Sequence, residues 1–183
     1  MSARPESFRR RLTPHPASPP SPVHSIVVGA VRHENSLLLN YRIDGELGAL
    51  RMPELLPPVH TDELWRHTCF EAFVGSTASG EYCEYNFSPS GAWAAYHFSG
   101  YRADMQPHKG GRTPNFAFDL QDGALVLTAQ VDLGWLQVAQ AGTPRLGVTA
   151  VIEDRSGQLS YWALKHPAEK PDFHHAGGFI IEL

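Results

Sequence analysis

Glu71 and Glu84 are the residues of this chain best placed to do chemistry, because each sits in the middle of an apolar run. They lie in TCFEAFVGSTASGEYCEYNFSPSG, Thr68 to Gly91, where two such runs flank a turn rich in glycine, serine and threonine. That pattern predicts a β-hairpin. Hydrophobicity sets its register, since a slip of one residue sends every side chain to the wrong face. Putting Phe70, Ala72 and Val74 in the core with Cys83, Tyr85 and Phe87 pairs Ala72 with Cys83 and Phe70 with Tyr85. The other face then carries Glu71 opposite Glu84 and Cys69 opposite Asn86, with Phe73 and Tyr82 beside them. Like charges directly opposed on a sheet destabilise it by about 0.2–1 kcal/mol. Solvent screening can relieve this, as can a proton retained on one carboxyl. An arginine bridge from Arg66 or Arg102, or a bound ligand or cation, would do the same.

Several chemistries use such a pair. Two carboxyls about 5–5.5 Å apart suit a retaining glycosidase. His67, His174 and His175 with Glu71 could supply a metal-assisted hydrolase, although the adjacent histidines point to different sides of an extended chain. The residues around the pair favour a third reading. Trp65 and Arg66 precede the first strand, Tyr101 and Arg102 follow the third, Trp162 lies in LSYWAL, and the chain closes with HPAEKPDFHHAGGF. Aromatic faces stack on the C–H surface of a sugar ring while planar polar groups take its hydroxyls. The candidate ligand-binding set is therefore Trp65, Arg66, Glu71, Glu84, Asn86, Arg102, Trp162 and His174. No residue is assigned a catalytic role, and no metal ligand set or cofactor is expected. Trp93 and Trp135 are left to the core.

Composition narrows the classes. The chain has 183 residues, 42% of them hydrophobic, enough for one domain with a substantial core. A net charge of -4 offers no electrostatic footprint for nucleic acid. The longest apolar runs, IVVGAV and SLLLNY, are strand-sized, so no membrane span is expected. The N-terminus lacks a signal-type apolar core, and a cytoplasmic protein with two reduced thiols, Cys69 and Cys83, is expected.

The elements that must position these residues are short strands. Residues 1–24 hold four arginines against one acid, and six prolines, which exclude a helix or a central strand. They are read as a flexible extension, leaving residues 25–183 as one domain. HSIVVGAVR and LLLNYRI form a hairpin bending at Asn35 and Ser36. RMPELLPPVHTDEL is a broken crossing, and NFAFDL and ALVLTAQVD pair around the turn dipeptide Asp122-Gly123. LGWLQVAQAG could make one short helix. The sum is an all-β fold, an antiparallel β-sandwich of jelly-roll or immunoglobulin-like type with about nine to ten strands and at most one short helix.

Four blocks in order, LWRHTCFEAFV, EYNFSPSGAWAAYHFSGYR, YWALKHP and PDFHHAGGFIIEL, make the chain resemble the DOMON-like proteins from about Ile26 to Leu183. These are relatives of the family 9 carbohydrate-binding modules and include a group found beside MurB-like sequences. The resemblance implies a jelly-roll-like sandwich with a ligand pocket on one sheet. It implies Trp65 and Trp162 as stacking groups, with Glu71, Glu84, Asn86 and Arg102 as the polar set. The expected function is a small-ligand binding module for a sugar or sugar derivative, with that ligand as partner, no nucleic acid or membrane, and the oligomeric state left open. The alternatives are a carboxylate-pair or metal-assisted hydrolase on the same site, and a haem-binding DOMON-type domain using Met52 or Met105 with a histidine.

Overall fold

The computed structural model describes residues 6–76, 79–107, 113–134 and 143–183. These form two antiparallel sheets of thirteen strands, a β-sandwich as expected. One sheet has the order β1 (Glu6–Arg11), β3 (Val23–His33), β4 (Ser36–Gly45), β10 (Ala124–Asp132), β9 (Asn115–Gln121). The other runs β2 (Thr13–Pro14), β12 (Leu159–Ala163), β11 (Pro144–Glu153), β5 (Cys69–Ser76), β6 (Tyr82–Phe87), β7 (Trp93–Phe98), β8 (Gln106–Pro107). A final strand, β13 (Ile181–Glu182), also pairs with β11. The short helix expected over residues 133–142 lies outside the described residues from 135 onward, and so does Trp135.

Period-2 alternation builds the core. Ile26, Val28, Leu37, Leu39, Tyr41 and Ile43 point inward from the five-stranded sheet and meet Phe70, Ala72, Val74, Tyr85 and Phe87 from the eight-stranded one. Tyr41 ties the layers together, its hydroxyl donating to the Glu71 carbonyl at 2.6 Å. The β9–β10 turn has Asp122 at φ 50° and Gly123 at φ 77°, the primed geometry the dipeptide predicts.

Residues 6–14 depart from the expected free extension. They form β1 and β2, each at the edge of a sheet, and Leu12 between them and His15 just beyond are buried. Proline is barred from central strands because it cannot donate to the ladder, but an edge strand needs no second partner. The composition thus excluded the middle of a sheet and left its margin open.

The hairpin register also differs, by two residues. Glu71 stands opposite Asn86, Ala72 opposite Tyr85, Phe73 opposite Glu84 and Val74 opposite Cys83. A shift of two preserves which side chains share a face, so hydrophobic patterning cannot detect it. It gives Phe87 the partner Phe70. The two glutamates become diagonal neighbours on one face, not an opposed pair.

Candidate functional site

β5 and β6 lie at the centre of their sheet and are buried on both faces, which explains the near-continuous apolar runs around the glutamates. The outward face is covered by residues 60–67 and 171–179. Leu64, Trp65, Phe173 and Phe179 pack there against Phe73, Tyr82, Tyr96 and Phe98. Sheet and cover enclose a recess of about 320 Å³, with Glu71 and Glu84 in its floor. Trp65, Phe98, Tyr161 and Phe173 make its aromatic walls, and His174, Arg102 and Met105 complete it.

The floor is a polar row in an apolar sheet. Glu71 is 2% exposed and Glu84 3%. Thr149, opposite Glu71 on β11, donates its hydroxyl to Glu71 Oε2 at 3.0 Å. Glu71 Oε1 is buried and has no hydrogen-bond partner among the described residues. On the other side Asn86 Nδ2 donates to Glu84 Oε1 at 2.6 Å, while Asn86 Oδ1 accepts from Cys69 Sγ at 3.3 Å. Burial pushes the Glu71 carboxyl well above the ordinary carboxylate range, and the charge of Glu84 pushes it further. Burial raises Glu84 to about 7, against the pull of the Asn86 hydrogen bond and of Arg102. The two carboxyls titrate as a pair, and a charge on one of them favours a proton on the other.

The cover carries its own network. The Arg102 amide donates to the Tyr82 hydroxyl at 3.2 Å, and that hydroxyl lies 2.7 Å from His174 Nδ1. The other ring nitrogen of His174, Nε2, lies 3.7 Å from Glu84 Oε2. Burial and the Arg102 charge drive His174 down to about 4, so its ring is neutral at ordinary pH. Arg102 holds a left-handed φ of 52°, and its guanidinium donates to Asp172 Oδ1 at 2.9 Å. Asp172 also accepts from the Tyr101 hydroxyl at 2.6 Å and from the His174 amide at 3.2 Å, fastening the two covering loops together.

Of the sequence-selected residues, Trp65, Glu71, Glu84, Arg102 and His174 line this one recess. Asn86 sits in the floor beside them, bonded to Glu84. Two residues are elsewhere. Arg66 is exposed and paired with Glu63 at 2.8 Å, a surface contact of little energetic weight. Trp162 is 4% exposed inside the sandwich core, its Nε1 donating to Ser160 Oγ at 3.0 Å. Tyr161, its neighbour, takes the recess position, because Tyr161 pairs with Val151 on the outer face and Trp162 with core-facing Ala150. Thr149, Phe98 and Phe173 were also missed. A weak signal was available for Thr149, a hydroxyl inside the apolar run RLGVTAVIE.

The metal set suggested by the sequence is not assembled. His67 Nδ1 lies 2.7 Å from Glu153 Oε2, and His175 caps a turn by accepting from the Gly177 amide. Among the described residues no group of three His, Cys, Asp or Glu side chains could hold a metal ion. Of the methionines considered for haem, Met105 lines the recess and Met52 is exposed, while both ring nitrogens of His174 are directed at protein groups.

Both cysteines are free and buried, and they point to opposite faces of the sheet as the alternation requires. Burial pushes both thiols up, and for Cys69 the charges of Glu71 and Glu84 add to it. Neither can be an activated nucleophile. In the native protein at pH 8 both should react with a disulfide reagent at least about a hundredfold more slowly than after denaturation. Rapid native reaction of either thiol would contradict the packing of these strands.

No family model matches the chain, and no curated protein matches it. Among solved structures, a candidate carbohydrate-binding protein from Bacteroides uniformis is similar in fold, with a TM-score of 0.67 at 13% identity over 94% of this chain and 84% of that one. Two structures of a family 9 carbohydrate-binding module from Caldicellulosiruptor kristjanssonii also match. The cellotriose complex has a TM-score of 0.45 at 10% identity, covering 80% of this chain and 68% of that one. The glucose complex has a TM-score of 0.43 at 10% identity, covering 79% and 69%. The first of these likenesses shows a shared sandwich architecture.

Proposed function

We propose that the recess binds a sugar or sugar derivative and that the protein is a binding module. The observation that carries this is Glu71 Oε1, a buried carboxyl oxygen of the recess floor with no hydrogen-bond partner among the described residues. A buried polar atom left unpaired costs about 1–3 kcal/mol, so a site that keeps one is poised for a hydrogen-bond partner from outside. The half-buried Trp65 and Tyr161 supply ring faces, while Glu84 and Arg102 supply polar contacts at different depths. A recess of about 320 Å³ suits one small ring, at the lower end of small-molecule sites. The architecture shared with the Bacteroides uniformis protein and the DOMON-like sequence blocks support the same reading. The diagonal placement of the carboxyls and the unassembled histidines weigh for binding over hydrolysis. The two free thiols fit a reducing cytoplasm.

Calorimetry and thermal-shift measurements with a panel of mono- and disaccharides test the proposal. At least one sugar should raise the melting temperature, since ligand at about one hundred times its Kd adds about 2.7 kcal/mol. Trp65→Ala should weaken that binding at least about tenfold, the worth of a lost stacking face. A folded protein that responds to no sugar would end the reading.

A further inference from the structure

We infer that the ligand is an amino sugar, whose free ammonium group sits between Glu71 and Glu84. This rests on the sugar-binding reading and narrows it to a class. Two carboxyls share the floor of one recess, and among the described residues no cation forms an ion pair with either at contact distance. Glu71 touches the Thr149 hydroxyl, which carries no charge. Glu84 accepts from the Asn86 amide and faces the neutral ring of His174. Arg102 lies at the exposed rim with its guanidinium committed to Asp172.

Among the described residues, the other titratable groups near the pair are Cys69 and Tyr41 beside Glu71, Tyr82 on β6, Tyr96 on β7, Tyr161 in the wall and Asp172 behind Arg102. Burial pushes Tyr82 up to about 12 and Tyr96 higher still, so neither is charged, and Cys69 stays a thiol. Among the described residues no cation pairs with either carboxyl, so ionising both in the free protein is costly, and each holds its proton above the ordinary range.

An ammonium group answers that deficit. It brings one positive charge and three donors, enough for the unpaired Glu71 Oε1 and for Glu84 together. A neutral hydroxyl brings one donor and no charge. The walls agree, because Trp65, Phe98, Tyr161 and Phe173 present rings around the opening, and aromatic faces attract cations. The same floor repels uronic acids and sugar phosphates.

Binding should also displace a proton. In the free protein the pair holds protons above the ordinary carboxylate range, and an ammonium beside them favours the ionised forms. Glucose offers no such exchange.

The test is calorimetry on the full chain at pH 6.5 with glucosamine, glucose, N-acetylglucosamine and choline. Repeating it in two buffers of different ionisation enthalpy counts protons. Glucosamine should bind at least about tenfold tighter than glucose or N-acetylglucosamine, with proton release seen for glucosamine alone. In Glu71→Gln the preference should collapse to the glucose level. Glucose or N-acetylglucosamine binding as tightly as glucosamine overturns the inference and leaves the sugar reading standing. Glucosamine binding without proton release also overturns it, and that result needs no variant. Choline binding as tightly as glucosamine, or no response from any of the sugars, overturns both.

Discussion

Glu71→Gln is expected to stabilise the unliganded protein at neutral pH and to remove the preference for an amino sugar in the same step. The folded Glu71 carboxyl is held above its ordinary value, first by burial and then by Glu84. Over the pH range between the unfolded and folded values, the native state keeps a proton that the unfolded chain has released. Stability therefore falls as pH rises through that range. Glutamine has no proton to lose, nearly the same shape, and an oxygen that can accept from Thr149. The variant should match the wild type near pH 4 and pull ahead steadily above it. Glu84→Gln should do the same over a defined window. Its carboxyl moves from 4.5 to about 7, which corresponds to a penalty on the order of 3 kcal/mol, complete by about pH 7 and constant beyond.

His174 acts with the opposite sign. Its folded value falls from 6.5 to about 4, so its contribution to stability rises with pH between those limits. The wild-type curve mixes both effects, and each variant must be compared with wild type at the same pH. Denaturant titrations at pH 4.5, 6 and 7.5 decide the matter. A Glu71→Gln protein less stable than wild type at pH 7.5 would mean that the acid is paired in the native state.

A cost of this kind argues for a use. Strand interiors are normally filled with groups that agree with the pleat, the neighbours and the core. Places where local rules fail tend to be functional. Here a single sheet face carries an acid pair that no cation of the described residues contacts, while Thr149 bonds Glu71, Asn86 bonds Glu84 and Tyr82 bonds His174. The gap at Glu71 Oε1 is local, and Glu71 is one of the residues lining the recess.

Much of this was legible in the sequence because parity is. Alternation in SIVVGAVR, LLLNYRI and CFEAFV decides which side chains go inward, and it put the glutamates, Phe73 and Tyr82 on one outer face, as observed. What parity cannot do is fix a shift of two, which is why Glu71 met Asn86 instead of Glu84. Nor can it act where two aromatics stand side by side, as in Tyr161-Trp162. There the choice of face is made by pairing with β11, a contact between distant parts of the chain. The covering loops were the least readable. His174 and Arg102 could be named as polar candidates, but their meeting depends on Asp172 and on left-handed backbone at Arg102. The N-terminal strands were hidden for a different reason. A proline-rich stretch forms an edge only when a sheet offers one, and no local pattern reveals that.

Substitution of the neighbours Tyr161 and Trp162 separates site from scaffold. Trp162→Ala removes a large side chain from the sandwich core and leaves Ser160 Oγ, also buried, without its donor. Truncations of this size in a core cost about 3–5 kcal/mol, a large part of the stability of a domain this long. Whatever fraction still folds should bind sugar with affinity close to wild type, because the indole does not reach the recess. Tyr161→Ala should do the reverse. Its half-buried ring lines the recess and meets Phe173 edge-on at 6.0 Å, so removing it exposes existing space and opens no closed cavity. Stability should drop by about 1 kcal/mol or less, while affinity falls at least about tenfold. Denaturant unfolding and calorimetry on both variants read the two quantities separately. If Trp162→Ala instead lost binding at full stability, β12 would have to be turned over and the floor of the recess redrawn.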